Sequence, residues 1–126
     1  MRIEELSVGD WVQDKKGTKA QILGIENWSD GYELNVRLKG VDVGNTPATS
    51  AHPIPLTPEI LEMNGWRNDK ADRNFFATDE VYIYNHEGVW RLRPKSPELL
   101  IVVDIKHVHQ LQRALRLLGV EKEIEL

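Results

Sequence analysis

Cysteine is absent from the 126-residue chain. That excludes a disulfide framework, a thiolate nucleophile and the thiolate zinc sites, and makes a reducing cytoplasm the expected setting. Long apolar runs are missing as well. No stretch approaches the ~20 residues that span a bilayer, so no membrane helix is expected. The opening Met1-Arg2-Ile3-Glu4-Glu5 carries acids where a secretory signal has an apolar segment. Nor is there an excess of positive charge. Sixteen Lys and Arg stand against twenty Asp and Glu, a net −4, which gives no global field for phosphate or anionic lipid. What is present, 40% apolar and 29% charged residues, fits one domain able to bury ~65% of its unfolded surface.

Tyr32, Leu34, Val36 and Leu38 alternate with Glu33, Asn35, Arg37 and Lys39, the pattern of a strand with one wet face. Upstream, Trp11 to Gln13 and Ala20 to Ile25 flank Asp14-Lys15-Lys16-Gly17, where Gly17 can take the positive φ that closes a hairpin. Asn27-Trp28-Ser29-Asp30-Gly31 supplies the next turn, with Asp-Gly as its signature. Residues 6–39 therefore predict a three-strand meander, and Leu6-Ser7-Val8-Gly9-Asp10-Trp11-Val12 looks like the opening of small SH3-like barrels. Residues 40–55, with Gly40, Gly44, Pro47, Pro53 and Pro55, read as a connector with room for one short edge strand.

A short helix is expected near 58–64. Thr57 can cap it, Pro58 suits its first position, Glu59 favours its positive end, and Leu56 and Leu61 stand where a hydrophobic staple packs. Asn64-Gly65 ends it. Arg67 to Asn74 is a polar loop. Phe75-Phe76, Val81 to Tyr84 and Val89 to Arg93 read as strands, the last two joined at Asn85-His86-Glu87-Gly88. Leu99 to Val103 is apolar on both faces, as in a covered central strand. Val108, Leu111, Ala114, Leu115 and Leu118 then recur at helical spacing until Gly119, and the charged tail 121–126 is expected to fray. The result is an α+β domain spanning 1–126, with an SH3-like amino-terminal β-meander (1–56) packed with a second antiparallel sheet, a short helix and a carboxyl-terminal amphipathic helix (57–126).

Three blocks stand in a familiar order: Leu6 to Val12, Ile54-Pro55-Leu56-Thr57-Pro58-Glu59-Ile60-Leu61 through Gly65-Trp66, and Ile105-Lys106-His107-Val108-His109-Gln110-Leu111-Gln112 through Gly119. On them the chain resembles a family of small uncharacterised proteins of gut anaerobes, often encoded near prophage or mobile-element genes. The resemblance implies one integral domain and a bacterial or phage origin. It brings no activity, ligand or catalytic residue with it.

The residues themselves give no enzyme signature, so no catalytic residue, cofactor or metal ligand is assigned. Ser7, Ser29, Ser50 and Ser96 lie in no Gly-x-Ser-x-Gly elbow, and no glycine cluster forms a phosphate-cradling loop before a helix. Asp69, Asp72, Asp79 and Glu80 fall in a loop and a strand entrance, where acids solvate turns. His52, His86, His107 and His109 are the imidazoles. His107 and His109 straddle a strand–helix boundary, where a helix would make them diverge. His109 is expected on the wet face with Arg113 and Arg116 while His107 ends the strand. A structural role for His109 and Gln110-Leu111-Gln112, satisfying backbone groups of neighbouring strands, is preferred to a ligand site.

Local charge is less even than the total. Between Arg91 and Leu118 six basic residues face only Glu98 and Asp104, an excess of four that leaves −8 on the remainder. Arg91 and Arg93 share a strand face, and His109, Arg113 and Arg116 follow i, i+4, i+7. Such surfaces hold phosphates when adjacent, although solvated faces opposite Trp90, Leu92, Leu111 and Leu115 are the plainer account. Trp28 and Tyr32 flank the second hairpin turn, where exposed aromatics make good anchors or else lid a small core. The candidate partner-binding residues are therefore Trp28, Tyr32, Arg91, Arg93, His109, Arg113 and Arg116. The leading expectation is a non-catalytic interaction module with a protein partner. Nucleic-acid association through the basic carboxyl-terminal third comes second, and a hydrolase or metal enzyme using His86, His107 or His109 last.

Overall fold

Alternation and turn chemistry place most of the strands. A computed structural model of the chain describes residues 6–28, 31–38, 41–47, 51–68, 73–96 and 102–126; at 26–28, 31–38 and 41–47 it describes the backbone alone. It is α+β, with two antiparallel sheets and two helices, and it divides into two compact units, Met1–Ile54 and Pro55–Leu126. Among the described residues no helix is long and apolar enough to cross a membrane.

In the first unit the chain enters through a turn in which Asp10 Oδ2 accepts the Ser7 N–H at 2.8 Å, with Gly9 at a φ of +92°. Strand β1 (Trp11–Gln13) then pairs with β2 (Lys19–Trp28), Val12 opposite Ala20. Between them Asp14 Oδ1 accepts the N–H groups of Lys16 at 2.8 Å and Thr18 at 2.9 Å, and Gly17 takes a φ of +84°. This Asx-type turn is the one that Asp14 to Gly17 predicts. Strand β2 pairs with β3 (Gly31–Leu38) as far as Trp28 opposite Gly31, with Leu23 bulged out between Ile22 and Gly24. Ser29 and Asp30 of the expected turn, and the side chains of the Tyr32 to Leu38 alternation, lie outside the described residues.

The 40–55 segment holds more strand than its composition suggests. Strand β4 (Val41–Pro47) runs along β3 and β5 (His52–Pro53) along β1, giving the order β4-β3-β2-β1-β5. Both are edges, where Pro47 and Pro53 are tolerated, and the ladder of β4 shifts register across Val43 and Gly44, a place where glycine suits a bulge. Among the described residues the two edges do not pair, so the sheet is open. Its core gathers Leu6, Val12, Ile22 and Ala51.

The second unit opens with α1 (Pro58–Met63), formed as its local signals require. Thr57 Oγ1 accepts the Ile60 N–H at 3.3 Å, Pro58 stands in the first turn, and Gly65 exits at a φ of +79°. Leu56 and Leu61, the staple pair, are both buried. Strands β6 (Phe75–Ala77), β7 (Val81–His86), β8 (Val89–Pro94) and β9 (Val103–Ile105) form a four-stranded sheet in sequence order. Phe76, Val81, Ile83, Trp90, Leu92 and Ile105 are buried positions on one face of the sheet and Ala77 is buried on the other, and Trp90 Nε1 donates to the Leu56 carbonyl at 3.2 Å. Helix α2 (Val108–Leu117) adds Val108, Leu111, Ala114 and Leu115 to the buried set.

Two expectations need correction here. Of the apolar run Leu99 to Val103, expected as a covered central strand, only Val102 and Val103 are described, and they do not take that place. Strand β9 starts at Val103 and is the edge of its sheet, with Val102 50% exposed; Leu99 to Ile101 lie outside the described residues. An apolar run marks burial without its register, and here Ile105 takes the inward position while Asp104 turns outward. The tail does not fray either. Val120 and Ile124 are buried, Gln112 Nε2 donates to the Lys122 carbonyl at 3.1 Å, and the Ile124 N–H donates to Gln112 Oε1 at 2.7 Å. Asn64 beyond α1 clasps Glu125 through both backbone groups, at 2.7 and 3.0 Å. Two apolar side chains spaced four apart and a row of amide bonds outweigh the charge pattern.

Candidate functional site

The seven candidate partner-binding residues fall in both units, Trp28 and Tyr32 in the first and the other five in the second. Trp28 ends β2 and Tyr32 follows Gly31 in β3, on neighbouring rungs of one ladder; their side chains lie outside those described. Arg91 and Arg93 do share one face of β8, because Trp90 and Leu92 between them point inward. Arg91 Nε stands 3.5 Å from Asp104 Oδ1. Arg116 on α2 instead reaches Glu123 of the tail at 3.4 Å, so these two arginines engage different carboxylates. Arg113 is half-buried.

His109 is the clear correction. It is 4% exposed, not on a wet face, and its ring lies parallel to that of His107 with centroids 5.7 Å apart and planes 7° apart. The rings do not diverge because His107 still has extended backbone, φ −128° and ψ 155°, ahead of the first helical turn. The buried side of α2 also includes Gln112, 2% exposed, because the chain beyond the helix folds back against it. Gln110 and Gln112 do bond backbone groups, as expected, but those of the helix entry and the tail and not those of neighbouring strands. Gln110 Oε1 accepts the N–H groups of Lys106 at 2.8 Å and His107 at 3.1 Å, where β9 gives way to α2.

His86 lies at the exposed end of β7, 4.0 Å from Glu87 of the adjacent turn. Among the described residues no three His, Asp or Glu gather as a metal-holding group. A hollow of about 310 Å³ lies beside Asp79, Glu80, Lys95 and Ser96, with Leu118 and Val120 across it. Its acid Asp79 is engaged by Arg67, whose guanidinium at 2.8 Å holds that carboxyl below the ordinary range, first by the hydrogen bond and then by its charge.

The outward face of the second sheet brings arginines and half-buried aromatic rings together. Register sets one rung as Phe75, Tyr84, Arg91 and Asp104, and a second as Ala77, Tyr82 and Arg93. Phe75, Tyr82 and Tyr84 are half-buried and Arg93 is exposed. Phe75 stacks on Tyr82 with centroids 5.8 Å apart and planes at 26°, and the Arg93 guanidinium carbon stands 5.7 Å from the Tyr82 centroid. The result is a continuous stack of two rings and a guanidinium across three strands, beside Tyr84 and Arg91. The sequence reading names the arginines and misses the rings. Their signal is the i, i+2 spacing of Tyr82 and Tyr84 against that of Arg91 and Arg93, brought into one register by the hairpin between them. No protein family, curated protein or solved structure compared with the chain matches it.

Proposed function

We propose that the protein is a non-catalytic interaction module that works through the outward face of its second sheet. The observation that carries this reading is the aromatic and arginine cluster of Phe75, Tyr82, Tyr84, Arg91 and Arg93, because partly exposed rings and arginines are the residues that anchor interfaces. The structural use of Gln110, Gln112 and Asn64, each spent on backbone groups, supports the same reading. A setting in a phage or mobile element belongs to the proposal through the sequence resemblance. The finer SH3-like reading of the first unit is supported by the order β4-β3-β2-β1-β5, a meander whose first strand also carries the last one.

A photo-reactive phenylalanine analogue at position 84, used in the organism that encodes the protein, tests the site. The expected result is a crosslinked product, identified by mass spectrometry, that does not form from position 63 or 117, where Met63 and Leu117 are exposed at the ends of the two helices. Equal labelling from all three positions contradicts the proposal. So does turnover of a small molecule that is abolished by changing one His or Asp.

A further inference from the structure

Resting on that contact-surface reading, we infer that the ligand of the sheet face is a single-stranded nucleic acid, a base stacking on Tyr84 beside the closed Phe75–Tyr82–Arg93 stack and its phosphates meeting Arg91 and Arg93. The face offers the two chemistries such a strand needs. Aromatic rings and arginine planes stack on unpaired bases of any sequence, and arginine forks bond phosphate oxygens. Here they are interleaved by register, Tyr82 opposite Arg93 and Tyr84 opposite Arg91. Strands lie ~4.8 Å apart and same-face residues of one strand ~6.7 Å apart, so each ring has a cation within reach. The Arg93 guanidinium already lies against Tyr82 at 5.7 Å, which reduces the rotamer entropy lost when a strand binds.

Charge complementarity argues for an anionic ligand. Exposed Lys95 continues the row after Arg93, exposed Lys106 follows β9, and Asp104 is the carboxylate on the central rung. Asp104 is itself exposed and paired to Arg91 at 3.5 Å, a contact that a phosphate can displace at little cost. A duplex hides its base faces inside the stack, so this surface should discriminate against it. The rest of the chain is acidic enough to leave the whole at net −4, which confines attraction to this face and makes binding weak at physiological salt.

The test is fluorescence anisotropy with fluorescein-labelled oligouridylate and oligothymidylate 15-mers and a 15-base-pair duplex, from 50 to 250 mM salt. Saturable binding of the single strands is expected, at least tenfold tighter than the duplex. The slope of log K against log salt is expected near −1.4 for two phosphates, falling by about 0.7 in Arg93→Gln. Tyr84→Phe should keep the affinity and Tyr84→Leu should lose roughly tenfold, with a cooperative thermal unfolding transition retained in both. Absence of saturable binding at 50 mM salt, equal affinity for duplex, or indifference to Tyr84→Leu and Arg93→Gln overturns the inference. If the oligonucleotides fail while position 84 still crosslinks selectively, the ligand class is wrong and the contact surface stands; if both fail, the surface itself is wrong.

Discussion

Gln112 holds the end of the chain with a donor and an acceptor on one buried amide. Replacing it with Leu strands the Ile124 N–H and the Lys122 carbonyl, and should cost about 1–3 kcal/mol in urea unfolding. Gln112→Glu keeps the acceptor to Ile124 but buries a carboxylate whose second oxygen faces the Lys122 carbonyl, so at neutral pH it should cost at least as much. Asp14 tests a different residue-scale force. The N–H groups of Thr18 and Lys16 hold its carboxyl below the ordinary 3.8, so folding favours the charged form. That stabilisation is fully present above the unfolded value and is lost as pH falls through the lowered folded one. The gap in stability between wild type and Asp14→Asn should therefore be widest at neutral pH and narrow below pH 3.8; a gap that stays constant to acid would contradict the role of these bonds.

At the scale of elements, legibility follows locality. Helix α1 is readable because its cap, first-turn proline, staple and glycine exit all lie within residues 56–65. The β7–β8 hairpin is also local: Glu87 and Gly88 both have positive φ, +53° and +86°, as a two-residue turn of this hand demands. Gly88→Ala should cost about 1–2 kcal/mol through backbone strain, since no atom lies within 4 Å of the added Cβ. Glu87→Asn should raise the melting temperature, because Asn accepts left-handed backbone more readily. By contrast, β9 and the tail depend on partners outside their own segments. An apolar run and a charged hexapeptide each describe one segment, whereas the edge position of β9 and the docking of Ile124 on Gln112 are properties of neighbours; a helical wheel misplaces His109 because it ignores the extended backbone of His107 just before it.

At the scale of the whole molecule, the candidate site is half legible for the same reason. Arg91 and Arg93 stand out in sequence as a local excess of charge, but Tyr82, Tyr84 and Phe75 look like core residues until the hairpin register puts them on the opposite face from Ile83 and Phe76. A partly exposed aromatic face of this kind costs solubility, so its presence fits a surface that is covered in use. Hydroxyl-radical footprinting, read by mass spectrometry on the protein in buffer and in extract of the organism that encodes it, tests this most directly. The account predicts slower oxidation of Phe75, Tyr82 and Tyr84 in extract with Met63 and Leu117 unchanged; equal oxidation of the three rings in both conditions, or protection spread evenly over the chain, would contradict it.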